Sequence, residues 1–113
     1  MRNGVVQMKF TVITVAYNAG EKLAQTVTNI LQQTYHDYEL LIKDGMSDDG
    51  STDTIEKDDR IRLVSCKDSS IYDAMNQACS YAKGDYYLFL NTGDSFYDKF
   101  VLEKITYGII LLL

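Results

Sequence analysis

Proline is absent from all 113 residues, which fits a tight alternation of short elements and leaves no low-complexity linker. Cysteine is scarce: Cys66 and Cys79 lack the spacing of metal ligands, and with no secretory segment they are expected as free, packed thiols of a reducing compartment. Positive charge is short as well, with 11 Lys and Arg against 16 Asp and Glu. A net charge of −5 argues against broad contact with a phosphate backbone, so no nucleic-acid partner is expected. The opening MRNGVVQMKF is too short and too polar for a signal peptide or a membrane span. That places the expected location in the cytoplasm, or at the inner face of the membrane. Neither GxGxxG nor GxxxxGK[ST] occurs, which removes the usual dinucleotide and P-loop signatures. What remains is the composition of one soluble domain over 1–113, with 46% hydrophobic residues to build a single core.

The hydrophobic pattern then supplies the elements. KFTVITVAY, Lys9 to Tyr17, is β-branched and predicts a buried strand, broken by Asn18-Ala19-Gly20. From Glu21 to Gln33, Leu23, Val27, Ile30 and Leu31 form the stripe of an amphipathic helix. Tyr38 to Lys43 is a second strand. The acidic loop DGMSDDGSTD follows, with Ser51 or Thr52 expected to cap a short helix near Asp53 to Glu56. Ile61 to Ser65 is a third strand, and Ile71 to Lys83 a helix closed by Gly84 as its C-terminal cap. Tyr86 to Leu90 is a fourth strand, expected to be buried. It is followed by the turn Asn91-Thr92-Gly93-Asp94 and a short helix near Phe100 to Ile105.

Strands alternating with helices predict βαβ units, a mostly parallel sheet flanked by helices, and right-handed crossovers. The loops 16–20, 44–51, 66–70 and 91–95 then gather along one edge. An acidic rim there has the outline of a nucleotide and divalent-metal site, since hard cations take oxygen ligands. A receiver-type phosphoacceptor domain would share this topology but wants further acids after the first strand, where this chain has Ala-Tyr-Asn-Ala-Gly.

TVITVAYNAGEKLAQTVTNILQQTYHDYELLIKDGMSDDGST, followed by DSSIYDAMNQACSYAKGDYYLFLNTGD, resembles the donor-binding half of a family 2 glycosyltransferase across residues 9–98. The order and spacing of the segments carry the likeness, and IYDAMN and LNTGD are similar to bacterial enzymes of cell-surface polysaccharide biosynthesis. The resemblance implies a Rossmann-like GT-A fold, a UDP-, GDP- or dTDP-sugar as donor, Mg²⁺ or Mn²⁺ on the diphosphate, and inverting transfer to a glycan or lipid-linked acceptor.

By the same resemblance, Ala16, Tyr17 and Asn18 hold the nucleoside, and Asp44 helps to read the base. Gly45 stands where many members have a second Asp. Asp68 and Asp73 match the segment beside the diphosphate and sugar, although Ser69 and Ser70 depart from the pattern, many relatives carrying Arg or Gly near Ser70. Asn91 offers a carbonyl to the metal or bonds a sugar hydroxyl, and Asp94 is the one carboxylate left in the metal motif. Asp48, Asp49 and Asp53 are expected to shape their loop. No catalytic base is assigned: after Asp94 only Asp98 and Glu103 remain, and both fall too soon. The terminal IILLL run is expected to be an element cut short, and to self-associate with a second copy as a homo-oligomer. The alternative to an enzyme is a non-catalytic nucleotide-sugar-binding or assembly module.

Overall fold

A computed structural model describes residues 9–112, with side chains through 108. Four strands form one parallel sheet, β1 (Phe10–Ala16), β2 (Tyr38–Asp44), β3 (Ile61–Ser65) and β4 (Tyr86–Phe89), in the order β3-β2-β1-β4. Helices α1 (Glu21–Leu31), α2 (Ile71–Tyr81) and α3 (Val101–Leu112) flank it, and a 3₁₀ turn spans Ser51–Thr54.

Successive side chains of a strand point to opposite faces, so the central pair of strands must be apolar on both. On one face Phe10, Val12, Leu40 and Ile42 meet Leu23, Val27 and Ile30 of α1 and Leu102 of α3. On the other, Ile13, Val15 and Leu41 meet Ala74 and Ala78 of α2. The small residues of α2 let its axis approach the sheet closely. Gln33, buried just beyond α1, donates to the Asp98 carbonyl at 2.6 Å and accepts from the Leu102 N–H at 3.0 Å, which fixes the start of α3.

The register places Ala16, Asp44 and Ser65 side by side at the carboxyl edge of the sheet. All four expected loops therefore emerge on one rim, the geometry in which open parallel sheets form their clefts.

Several local expectations are corrected. Helix α2 ends at Tyr81 with Ala82 as its cap, and Gly84 has a different task. A Cβ at Gly84 would lie 2.5 Å from the Thr11 backbone nitrogen, so only glycine lets this link run against β1. The short helix after the acidic loop is 3₁₀ and starts earlier, behind Gly50 in the left-handed region (φ 80°), without a side-chain cap. Strand β4 is an edge rather than a buried strand, with Tyr86, Tyr87 and Phe89 all substantially exposed. The helix expected near 100–105 runs on to Leu112, because an aliphatic run continues a helix as readily as it starts a strand. The side chains on which self-association was expected lie outside the described residues.

Candidate functional site

The exit of β1 and the exit of β2 are stitched together by their loops. Asn18 adopts φ 46°; its N–H donates to Ser47 Oγ at 2.8 Å, and its Oδ1 accepts from the Asp48 N–H at 2.9 Å. Asp49 closes the same loop by accepting from the N–H groups of Gly20 and Ser51, each at 3.0 Å. Ser51, through its side chain first and its N–H second, holds the Asp49 carboxyl below the usual range, aided by the Gly20 N–H. The loop-shaping expectation thus has a concrete form at Asp49.

Asp44 lies under this loop, 2% exposed. One carboxylate oxygen accepts from Ser47 Oγ at 2.5 Å, and the other from the Ser47 N–H and Ser65 Oγ, both at 3.0 Å. Both oxygens are therefore engaged within the protein. Its removal deletes three hydrogen bonds whose donors, on half-buried Ser47 and exposed Ser65, can turn to water, so each bond contributes about 0.5–1.5 kcal/mol. Asp44→Ala is accordingly expected to lower the unfolding free energy by about 2 kcal/mol in a urea titration. A variant as stable as the parent would show that these bonds do not organise the loop.

A cavity of about 530 Å³ opens beside this framework, lined by Val15, Ala16, Tyr17, Gly45, the loop 67–70, Ile71 and Ala74. That volume is in the range of small-molecule sites. Tyr17 lines the cavity while 65% exposed, with Cδ1 of its ring 3.4 Å from the point where a Cβ at Gly45 would stand. Among the described residues, Asp68 supplies the only carboxylate on the cavity wall. Behind it lies a residue that pattern reading missed. Lys43 is fully buried, and its Nζ donates to Asp68 Oδ2 at 2.9 Å, to the Cys66 carbonyl at 2.7 Å and to the Asp44 carbonyl at 3.2 Å. A lysine directly after Leu40-Leu41-Ile42 in a strand was the available signal, because a buried ammonium requires a partner.

Of the residues singled out from sequence, Ala16, Tyr17, Gly45 and Asp68 converge on the cavity, whereas Asn18, Asp44, Asp73, Asn91 and Asp94 do not line it. Asp73 caps α2: its N–H donates to Ser70 Oγ at 3.0 Å, and its carboxylate accepts from the Ser69 N–H at 2.8 Å and from Gln77 Nε2 at 3.0 Å. Asn91 begins a turn pinned to the core by Thr92 Oγ1 donating to the Val15 carbonyl and the Gly93 N–H donating to Thr26 Oγ1. Its Oδ1 is buried and has no donor among the described residues.

Asp94 stands exposed at the end of this turn, and its carboxylate makes no hydrogen bond to a described residue. No three His, Cys, Asp or Glu side chains gather to hold an ion among the described residues. A divalent cation would therefore fit here only with one protein carboxylate and the remaining oxygens from ligand and water, which Mg²⁺ accepts readily. Asp98 and Glu103 are taken up locally. The Phe100 N–H, assisted by Lys104, holds the Asp98 carboxyl below the usual range, and Glu103 accepts from Thr34 Oγ1 at 3.1 Å.

A parallel α/β sheet with its cleft at the carboxyl edge and helices on both faces defines a Rossmann-like domain, and its neighbours among solved structures narrow this to the GT-A type. TarS from S. aureus in complex with UDP-GlcNAc superimposes with a TM-score of 0.81 at 19% identity, covering 92% of this chain and 32% of that one. A mannosyltransferase from Pyrobaculum calidifontis, solved with GDP-Man and Mn²⁺, gives 0.75 at 20% identity, covering 86% and 31%. The chain belongs to glycosyl transferase family 2, whose model matches residues 11–107. Among curated relatives, TuaG of Bacillus subtilis, whose name provisionally assigns it as a teichuronic acid biosynthesis glycosyltransferase, is 35% identical over 99 residues. That match covers 83% of this chain and 39% of TuaG, so the chain spans about two fifths of that relative's length.

Proposed function

We propose that this chain is the donor-binding part of an inverting glycosyltransferase that takes a nucleotide-diphosphate sugar, with Mg²⁺ or Mn²⁺, and serves cytoplasmic synthesis of a cell-surface polysaccharide on a glycan or lipid-linked acceptor. The observation that carries the reading is the cavity at the carboxyl edge, where an exposed aromatic ring, a carboxylate and the first turn of α2 face one another. Family membership supports the reaction class, and the nucleotide sugars in the neighbouring structures support the ligand class. Asp94 is the residue that would hold the cation, whose contribution is to neutralise charge on the diphosphate leaving group. The chain's own part is to hold the nucleoside at Tyr17 and to keep the turn 91–94 fixed against β1 and α1.

Isothermal titration with UDP-, GDP- and dTDP-sugars in Mn²⁺ or EDTA tests the reading. One of the three is expected to bind in Mn²⁺, and Asp94→Asn to weaken it at least tenfold, about 1.4 kcal/mol. Equal affinity in EDTA removes the metal from the proposal, and no binding of any donor removes the donor site.

A further inference from the structure

We infer that Asp68, held in place by Lys43, is the carboxylate that reads the base of the bound nucleotide, selecting bases whose edge presents a ring N–H. This rests on the reading of the cavity as a nucleotide-sugar site and assigns the residue that discriminates within it. Asp44, the expected reader, has both oxygens engaged beneath the loop and is 2% exposed. Gly45, the next residue at the exit of β2, has no side chain to offer. The structure shows what takes that space: a Cβ at Gly45 would stand 2.9 Å from Asp68 Oδ2. The carboxylate beside Gly45 is thus delivered by the loop after β3.

Lys43 sets its orientation. Nζ spends one donor on Asp68 Oδ2 and its other bonds on two backbone carbonyls, so Oδ2 is fixed from behind. Oδ1 has no partner among the described residues, on a side chain that lines the cavity. A carboxylate accepts hydrogen bonds and donates none, so what it selects is an N–H. Uracil and thymine (N3–H) and guanine (N1–H) carry one at the pairing edge. Cytosine and adenine carry a lone pair there and would face the oxygen unfavourably. The exposed Tyr17 ring beside Gly45 supplies the flat surface that a base needs while its edge is read. Lys43 touches no ligand in this scheme and acts as a positioning residue.

The substitution Asp68→Asn has a directional consequence. Its amide oxygen must turn to Lys43 Nζ, which leaves the NH₂ donor facing the cavity, where it favours a ring lone pair.

The test is titration of UDP against CDP and GDP against ADP in Mn²⁺, with folding of each variant checked by circular dichroism. In the parent, the N–H member of the pair that fits is expected to bind at least tenfold tighter than its partner. Asp68→Asn should bring that ratio to one or below, and Lys43→Met should bring it to within about threefold. Gly45→Ala, which crowds Oδ2 from outside at a residue of ordinary φ, should lower the ratio as well and serves if the other variants do not fold. A parent ratio near one, or a ratio that survives Asp68→Asn or Gly45→Ala, overturns the inference while leaving the donor site standing. Failure of all four nucleotides to bind overturns both.

Discussion

Gly84→Ala is expected to lower the unfolding free energy by on the order of 3 kcal/mol, at the upper end of what overpacking usually costs. The new methyl would sit 2.5 Å from the Thr11 nitrogen and 2.7 Å from the Phe10 carbonyl carbon. Both are backbone atoms of the central strand, so neither can rotate away. The link between α2 and β4 would have to lift, and with it go the Gly84 N–H bond to Thr11 Oγ1 at 2.8 Å and the Lys83 N–H bond to Glu39 Oε2 at 2.6 Å. The Asp85 N–H bond to the Lys9 carbonyl at 2.7 Å, which begins the pairing of β4 with β1, is strained by the same shift. For a domain whose whole stability is about 5–15 kcal/mol, that is a large share. Gly50→Ala is the control: φ there is 80° and nothing stands within 4 Å, so only the left-handed backbone is penalised, by about 1 kcal/mol. Urea titrations in which the two variants lose equal stability would show that contact with β1 is not what requires glycine at 84.

The same glycine shows where sequence reading stops. A glycine shortly after an amphipathic helix is a cap on local grounds, and nothing local reveals a strand 73 residues away. Strand and helix cores were legible because they depend on local composition and period: Ile61–Ser65 was read to the residue, and both amphipathic helices start where expected. The gathering of four loops on one rim was legible too, since parallel βαβ topology allows little else. The state of each carboxylate on that rim was not. Asp44 and Asp68 both end or follow a strand beside polar residues. Register seats Ser65 next to Asp44, and the loop after β3 brings Asp68 back to Lys43. Burial of β4 failed for a related reason, because an apolar run states that a strand is covered somewhere but not which neighbour covers it.

The Lys43–Asp68 pair should respond asymmetrically to loss of either partner. Asp68→Ala leaves a fully buried ammonium with two carbonyl oxygens and no counter-charge, a situation that typically costs about 3–5 kcal/mol. Lys43→Met removes the charge from the interior instead. Methionine fills much of the same stem volume, and Asp68, whose side chain is 18% exposed, can turn its freed oxygen toward solvent. The Asp44 carbonyl keeps the Cys66 N–H at 3.0 Å, so the one acceptor left without its donor is the Cys66 carbonyl, at about 1–2 kcal/mol. Asp68→Ala is therefore expected to be the more damaging single change, and adding Lys43→Met to it should restore stability rather than subtract more. Three urea titrations decide the matter. If Lys43→Met proves the worse of the two, or the double variant is less stable than Asp68→Ala alone, the lysine is held by packing and not by its carboxylate. It could not then be what aims Asp68 into the cavity.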